Sequence, residues 1–226
     1  MPIFRALRPG YHPWYTTENE GVVLAECIEA VLALCERISK GDGVEYWKDA
    51  WTYPSMVSSK AGGDDKRYDV EMVKVTELPA ATPEPAQLDQ NRIRQIRDRK
   101  YPVCGAFEAE HFYGGAMVGK RSERKACVRL GLVVDANSGL VFPPELGMPE
   151  RATSDIIATA LLNAIDTAQC LPREIRVHQH EFKPFLQPLS RELGIPVRTV
   201  KRLPALQEAK EHLLTMMGDP GRFIAS

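Results

Sequence analysis

The stretch that decides the fold is EIRVHQHEFKPFLQPLSRELGIPVRTVK, residues 174–201. Glu174 to His178 and Pro196 to Lys201 each predict a short strand, and Phe182 to Leu193 predicts a helix between them. A strand, a crossover helix and a second strand in this order form a right-handed parallel pair. The sequence therefore predicts a β-α-β unit, in which Pro188 should kink or shorten the helix.

The segments on either side extend this unit into an α/β domain. They are, in chain order, a helix at Leu88–Lys100, strands at Ala106–Tyr113, Ala126–Val134 and Leu140–Phe142, a helix at Ile156–Ala168 and, after the unit, a helix at Pro204–Met217. Three antiparallel strands followed by two parallel strands with intervening helices resembles the succession of the ribonuclease H-like fold. That fold hosts nucleases, transposase and integrase cores and many inactive relatives, so the resemblance assigns no activity.

The first part of the chain predicts an α+β arrangement. Thr17 and Glu20 form a T-x-x-E capping box, which predicts a helix from Glu18 to Ser39. The polar residues of this helix are few and form a narrow stripe, so we expect protein to cover most of its circumference. Three β-like stretches follow, at Gly43–Trp47, Trp51–Val57 and Arg67–Thr76.

The segment LPAATPEPA, residues 78–86, marks a domain boundary because its three prolines favour a stiff, extended linker. The formal charge also changes there, from −4 over residues 1–80 to +3 over residues 81–226. We therefore predict an α+β N-terminal domain at 1–80, a linker at 81–87 and an α/β, ribonuclease H-like domain at 88–226.

The composition is that of a globular protein. The 226 residues are 44% hydrophobic and 26% charged, with a formal net charge of −1. These values exclude disordered, fibrous and membrane-embedded classes and remove any general electrostatic attraction to nucleic acid or to a membrane. The five cysteines are widely spaced, so we expect buried free thiols. Met1 to Gly10 lacks the apolar core of a signal peptide, and we expect a cytoplasmic location.

Acidic residues are the candidates for a metal-dependent nuclease. A two-magnesium site needs three or four convergent carboxylates, and Glu108 and Glu110 share one face of the first strand of the second domain. Asp135 and Asp155 are the further candidates for this set. The strand from Glu174 to His178 ends without the aspartate that such a site needs. We therefore expect Glu108 and Glu110 to be solvent-facing charges, and Mg²⁺ to be a cofactor only under the nuclease hypothesis.

Two histidines form a second candidate metal site. His178 and His180 lie on one face of a strand end and would bind zinc if His111 or Cys170 supplied a third ligand. Two ligands do not make a site, so we expect these histidines to line a polar rim and predict no resident metal.

Basic residues cluster in the helix at 88–100, at Arg92, Arg94, Arg97, Arg99 and Lys100. Further cations stand at Lys120, Arg121, Arg124, Lys125, Arg198, Lys201 and Arg202. If these groups converge they form a phosphate-binding face, but only Tyr101 offers an adjacent aromatic ring for base stacking. We therefore expect a solvated helix face, with nucleic-acid binding as the alternative. The sequence contains no phosphate-binding glycine loop and no G-x-S-x-G motif.

Four segments carry a family resemblance: FRALRPGYHPWYTTENE at 4–20, LVVDANSGLVF at 132–142, LPREIRVH at 171–178 and LGIPVRTVKRLPAL at 193–206. They resemble an uncharacterised bacterial family made of two domains of unknown function in this order. The resemblance implies a bacterial intracellular protein with a reproducible two-domain arrangement, and it implies no active residues.

The RPGYHPW arm at residues 8–14 is one of the most specific parts of that resemblance. We expect it to lay Tyr11 and Trp14 over the rest of the fold, whereas the same rings, if exposed, would form a docking surface.

These features together predict a two-domain α/β protein that acts as a non-catalytic binding or interaction protein. We expect a protein partner in preference to nucleic acid, and no membrane partner. A metal-dependent nuclease that uses Glu108 and Glu110, and a nucleic-acid-binding module without cleavage, are the two alternatives.

Overall fold

The computed structural model describes residues 3–41, 49, 51–59, 67–76, 84–178 and 182–217. The chain divides into two compact units. One consists of Met1–Ala6 and Trp14–Ala81, and the other of Leu7–Pro13 and Thr82–Ser226. The predicted linker at 81–87 lies partly outside the described residues, and the predicted strand at Gly43–Trp47 lies wholly outside them.

The smaller unit contains a helix and a β-hairpin. α1 (Glu18–Ser39) begins at Thr17, whose hydroxyl accepts the backbone N–H of Glu20 at 3.3 Å, while the Glu20 carboxylate accepts the N–H of Thr17 at 2.8 Å. β1 (Thr52–Ser59) and β2 (Arg67–Lys74) pair in antiparallel fashion. The predicted capping box and helix bounds are confirmed.

α1 is not the buried helix that its apolar sequence predicts. No residue of this fully described helix is buried, and Val22, Val23 and Leu32 are 56%, 59% and 63% exposed. The hairpin contacts one side of the helix, where the Arg37 guanidinium donates to the carbonyl oxygen of Tyr68 at 3.1 Å. The prediction was wrong because an apolar circumference does not itself supply the elements that would cover it, and a two-stranded hairpin covers only one side.

The larger unit is built on a mixed five-stranded sheet. Its elements are, in chain order, α2 (Gln90–Asp98), β3 (Val103–Val118), β4 (Ala126–Asp135), β5 (Glu145–Gly147), α3 (Thr153–Ala168), β6 (Leu171–Val177), α4 (Phe182–Leu193), β7 (Val197–Thr199) and α5 (Pro204–Met217). The strand order is β5-β4-β3-β6-β7; β4 is antiparallel to β3 and to β5, while β6 and β7 run parallel to β3. This is the arrangement of the ribonuclease H-like fold, and the predicted fold class is confirmed.

Helices cover both faces of this sheet, because successive residues of a strand point to opposite sides. Phe107 and Ala109 of β3 belong to the core beneath α3 and α4, whereas Phe112 packs with Leu206 of α5. The even-numbered residues of β3 from 106 to 112 therefore face α5. This alternation decides where the acidic side chains of β3 lie.

The third antiparallel strand was predicted in the wrong place. We expected it at Leu140–Phe142, but β5 is formed by Glu145–Gly147, and the predicted segment contributes one isolated bridge, between Val134 and Val141. Pro143 and Pro144 follow directly and have no N–H to donate to a ladder. The chain therefore pairs again with β4 only after the two prolines.

The last two helices keep the predicted bounds. α4 spans Phe182–Leu193 and is not shortened at Pro188, because buried Phe182, Leu186 and Leu189 anchor it against the core and offset the missing hydrogen bond. Of the two effects predicted for Pro188, shortening of the helix does not occur. Within the described residues, we find no helix whose length and hydropathy would let it span a membrane.

Two of the five cysteines form a disulfide, so the prediction of five buried free thiols was wrong. Cys104 at the start of β3 is bonded to Cys170, which immediately precedes β6, with 5.8 Å between the Cα atoms. The parallel pairing of β3 with β6 brings them together across 66 residues of sequence. Cys27 and Cys35 are exposed and Cys127 is half-buried. Spacing along the chain gives no sign of a pair that only the sheet register creates.

Candidate functional site

Glu108 is the most deeply buried of the candidate acidic residues. It lies on the side of β3 that faces α5 and is 1% exposed, so the prediction that it faces solvent was wrong. Its Oε2 atom accepts the backbone N–H of Leu206, the third residue of α5, at 2.9 Å. The first N–H groups of a helix lack partners inside it and carry the positive end of its dipole. The carboxylate therefore caps α5 and holds it against the sheet.

Glu110 lies on the same side of β3, as the strand alternation predicted. Its Oε1 atom is 3.5 Å from the ammonium of Lys210 in α5, and the two side chains are 16% and 23% exposed. The same ammonium stands 4.7 Å from the centre of the Phe112 ring. A cation supplied by the protein thus already neutralises this carboxylate.

Asp135 and Asp155 support local structure at other places. Asp135 accepts the backbone N–H of Asn137 and the hydroxyl of Ser138, both at 2.9 Å, and so closes the loop after β4. Asp155, in the first turn of α3, accepts the backbone N–H of Gln87 at 2.7 Å. α3 packs on the face of the sheet opposite to α5. Among the residues that the structure describes, no three histidine, cysteine, aspartate or glutamate side chains converge as metal ligands.

Only one of the two candidate zinc ligands falls within the described residues. The Nδ1 atom of His178 is 3.3 Å from the carbonyl oxygen of Val200, which assigns the Nδ1–H as donor. His180 lies outside the described residues. Cys170 is held in the disulfide and offers no thiolate.

The basic residues of α2 mostly bind neighbouring helices. Arg92 pairs with Asp166 of α3 at 2.7 Å, and Arg97 pairs with Glu192 of α4 at 2.7 Å. Arg99 is 3.5 Å from the same Asp166. Because these guanidinium groups already contact carboxylates, they are only partly available to a phosphate ligand.

The other two basic residues of this cluster are exposed. Arg94 lies on the outer face of α2, and Lys100 follows the helix with a left-handed φ of 49°. The predicted basic face thus consists of three cations that pair with carboxylates, of which Arg97 and Arg99 are themselves exposed, and of two further exposed cations, Arg94 and Lys100.

The RPGYHPW arm is divided between the two units. Tyr11 belongs to the larger unit, where its hydroxyl donates to the Glu150 carboxylate, and the Gly10 carbonyl accepts the N–H of Cys127 at 2.8 Å. The arm therefore adds a short bridge at the beginning of β4. Trp14 belongs to the smaller unit and is half-buried.

A cleft of about 420 Å³ lies at the carboxyl ends of β6 and β7, and sequence reasoning missed it. Its lining residues are Glu110, His178, Lys201, Arg202, Leu203, Pro204 and Gln207. They come from β3, from the segments that follow β6 and β7, and from the start of α5. The available signal was the order of the parallel strands, because residues that follow such strands meet at one edge of the sheet.

Residues 92–214 match the profile of a family described as a domain of unknown function (DUF6930). The chain belongs to this family. The DUF6930 region contains the whole five-stranded sheet and the lining of the cleft, and it ends within α5. No curated protein matches the chain.

Two solved structures of the HTLV-2 integrase catalytic core domain in complex with magnesium are similar to part of the chain. The trimeric form is 16% identical over 49% of this chain and 66% of that chain, just under two thirds, with a TM-score of 0.32. The dimeric form is 19% identical over 53% of this chain and 77% of that chain, with a TM-score of 0.30. Likenesses this weak assign no function to the DUF6930 region.

β6 and β7 of the DUF6930 region share a charge network. Glu174 is 8% exposed and lies 2.8 Å from the Nε atom of Arg176 and 3.0 Å from that of Arg198. The hydrogen bond from Arg176 and the positive charge of Arg198 lower the pKa of Glu174 from its ordinary value of 4.5. This network therefore occupies Arg198, which the sequence placed with Lys201 and Arg202.

Proposed function

We propose that this protein is a non-catalytic binding protein whose ribonuclease H-like unit serves as a scaffold. The observation that carries the proposal is the environment of Glu108, the carboxylate on the central strand. It is 1% exposed and accepts the N–H of Leu206 at 2.9 Å. A carboxylate that caps a helix inside the protein is held away from water and from any phosphodiester.

The remaining carboxylates do not fit a magnesium site. Two-metal hydrolysis needs carboxylates that share ions a few ångströms apart and face the substrate. Glu110 already has an ammonium 3.5 Å away, which would repel a metal ion. Asp155 belongs to α3, on the face of the sheet opposite to α5. The carboxylates of the described residues therefore do not form a donor set for Mg²⁺.

The proposal also covers the organisation and location of the chain. We propose two domains, an α+β domain at 1–80 and a ribonuclease H-like domain at 88–226, in a bacterial cytoplasmic protein. The family resemblance of the arm and of the later segments supports the location, and the Cys104–Cys170 disulfide argues against it because such bonds are rare in cytosolic proteins. The division into two compact units supports the organisation.

A nuclease assay tests the proposal. The full chain is incubated with labelled single- and double-stranded DNA and RNA in Mg²⁺ or Mn²⁺, alongside Glu110→Gln and, as a matched control, Glu123→Gln in the exposed loop before β4. We expect no cleavage that depends on Glu110. Metal-dependent cleavage that Glu110→Gln abolishes and Glu123→Gln retains would show that the protein is a nuclease.

Nucleic-acid binding without cleavage is the second candidate function, favoured by the exposed positions of Arg94 and Lys100. It predicts an affinity for oligonucleotides that falls steeply with salt and weakens in Arg94→Ala. The pairing of Arg97 with Glu192 argues against a broad phosphate-binding face on α2.

A further inference from the structure

The cleft of about 420 Å³ occupies a distinctive position in the sheet. The chain leaves β3 toward β4 and β5 on one side and returns to form β6 and β7 on the other, so the strand order reverses between β3 and β6. In open α/β sheets, ligands bind outside the carboxyl ends of the parallel strands at such a reversal. The volume also lies within the range of about 300–1,000 Å³ that is typical of small-molecule sites.

Two cations at this cleft form no ion pair with the residues that the structure describes. Lys201 and Arg202 both line it and are exposed. Within residues 84–178 and 182–217 neither forms an ion pair, whereas Arg198, three positions before Lys201, is held 3.0 Å from Glu174. Exposed positive charges that converge on a cleft without a counterion favour an anionic ligand.

His178 adds an imidazole to the lining of the cleft. Its Nδ1–H is taken up by the carbonyl oxygen of Val200, 3.3 Å away, on the segment that joins β7 to the cleft. This bond leaves the Nε2 atom as the free polar atom of the ring. The imidazole is therefore held in place by the backbone and adds a polar group to the cationic wall.

Other residues of the lining offer groups for hydroxyls. Glu110 of β3 contributes a carboxylate whose Oε1 atom is 3.5 Å from Lys210. Gln207, in the first part of α5, contributes an amide whose nitrogen donates to Glu211 at 3.0 Å and whose oxygen is an acceptor. Pro204 and the buried Leu203 add apolar surface to the lining. A carboxylate accepts hydrogen bonds from hydroxyl groups and repels phosphate, so one ligand with both kinds of group would be oriented in a single direction.

We propose that this cleft binds a small phosphomonoester that carries hydroxyl groups, with its phosphate at Lys201 and Arg202 and its hydroxyls at Glu110 and Gln207. The proposal rests on the non-catalytic function proposed above, because it uses Glu110 as a hydrogen-bond acceptor and not as a metal ligand. It concerns a soluble small molecule; a nucleic-acid strand is a different outcome of the test.

Isothermal titration calorimetry on the full chain tests this site. The probes are AMP and glucose 6-phosphate, with adenosine and glucose as their uncharged counterparts and a 15-nucleotide single-stranded DNA as the polymer. We expect the phosphorylated probes to bind and the uncharged ones to fail. Because each lost charge-assisted hydrogen bond weakens binding by about tenfold, Lys201→Ala/Arg202→Ala should lose at least about tenfold in affinity. Arg94→Ala removes a cation that lies on α2 and does not line the cleft, so this variant should bind the probes as the wild type does.

Glu110→Gln tests the hydroxyl contacts separately from the phosphate contacts. It should lower the affinity for whichever phosphorylated probe binds more tightly. The affinity for inorganic phosphate, which has no alcohol hydroxyls, should stay the same or rise. Circular dichroism confirms that each variant is folded, which we expect because Lys201 and Arg202 are exposed.

Three results would overturn the inference. They are no binding of either phosphorylated probe at millimolar concentration, an equal loss in Arg94→Ala, and binding of the DNA strand alone. None of these three results is evidence for nuclease activity. Conversely, metal-dependent cleavage that Glu110→Gln abolishes would contradict the non-catalytic proposal, whatever the titrations show. Failure of the ligand assignment is therefore distinguishable from failure of the proposed function.

Discussion

Replacement of Glu108 separates a structural role from a metal-binding one. Glu108→Ala leaves the buried N–H of Leu206 without its acceptor 2.9 Å away, which costs about 1–3 kcal/mol. It also removes a negative charge from the start of α5, worth about 0.3–1 kcal/mol. We therefore expect the free energy of unfolding to fall by about 1–4 kcal/mol. Glu108→Gln keeps an acceptor of the same shape and should cost about 1 kcal/mol or less.

Urea denaturation followed by circular dichroism at 222 nm measures these differences. Glu123→Ala is the matched control, because its exposed ion pair with Lys120 should contribute about 1 kcal/mol or less. The sign of the Glu108 effect is decisive. Carboxylates gathered to hold a metal repel one another when the metal is absent, so replacing one of them stabilises the apoprotein. A Glu108→Ala variant more stable than the wild type would refute the capping role.

Three further variants test other parts of the structure. Glu174→Gln should lower the free energy of unfolding at neutral pH, because the lowered pKa of Glu174 makes its carboxylate stabilising above pH 4.5. The difference from the wild type should shrink as the pH falls below 4.5 and the carboxylate becomes protonated. A difference that does not depend on pH in urea titrations would contradict this. Cys104→Ser opens the 66-residue loop closed by Cys170 and should cost up to about 4 kcal/mol; five reactive thiols in the denatured, unreduced protein would show that the bond is absent. Gly131→Ala places a Cβ atom 2.9 Å from Cγ2 of Ile156 and should cost about 1–3 kcal/mol; a thermal midpoint equal to that of the wild type would count against this close approach of α3 to β4.

Local signals were sufficient for most of the larger unit. The predicted bounds of α4 and α5 match the structure, and the strand–helix–strand order gave the parallel direction of β6 and β7. The errors lie where partners distant in sequence decide the outcome. The apolar circumference of α1 says nothing about what covers it, and the pairing of Cys104 with Cys170 depends on the register of two strands 66 residues apart.

The candidate site was predictable only in part. Strand alternation placed Glu108 and Glu110 on one face, which the structure confirms. It could not show that α5 crosses that face, buries one carboxylate and brings an ammonium to the other. Lys201 and Arg202 were visible as cations, but their meeting with His178 follows from the parallel order of β6 and β7 and not from spacing.

Anomalous scattering from crystals soaked in MnCl₂ tests the central claim most directly. The structure predicts no manganese peak within bonding distance of the Glu108 or Glu110 carboxylates, because the first is bonded to Leu206 and the second is beside Lys210. A manganese ion bound to Glu110, or bound to Glu108 with Leu206 displaced, would contradict the account and support a metal-dependent nuclease.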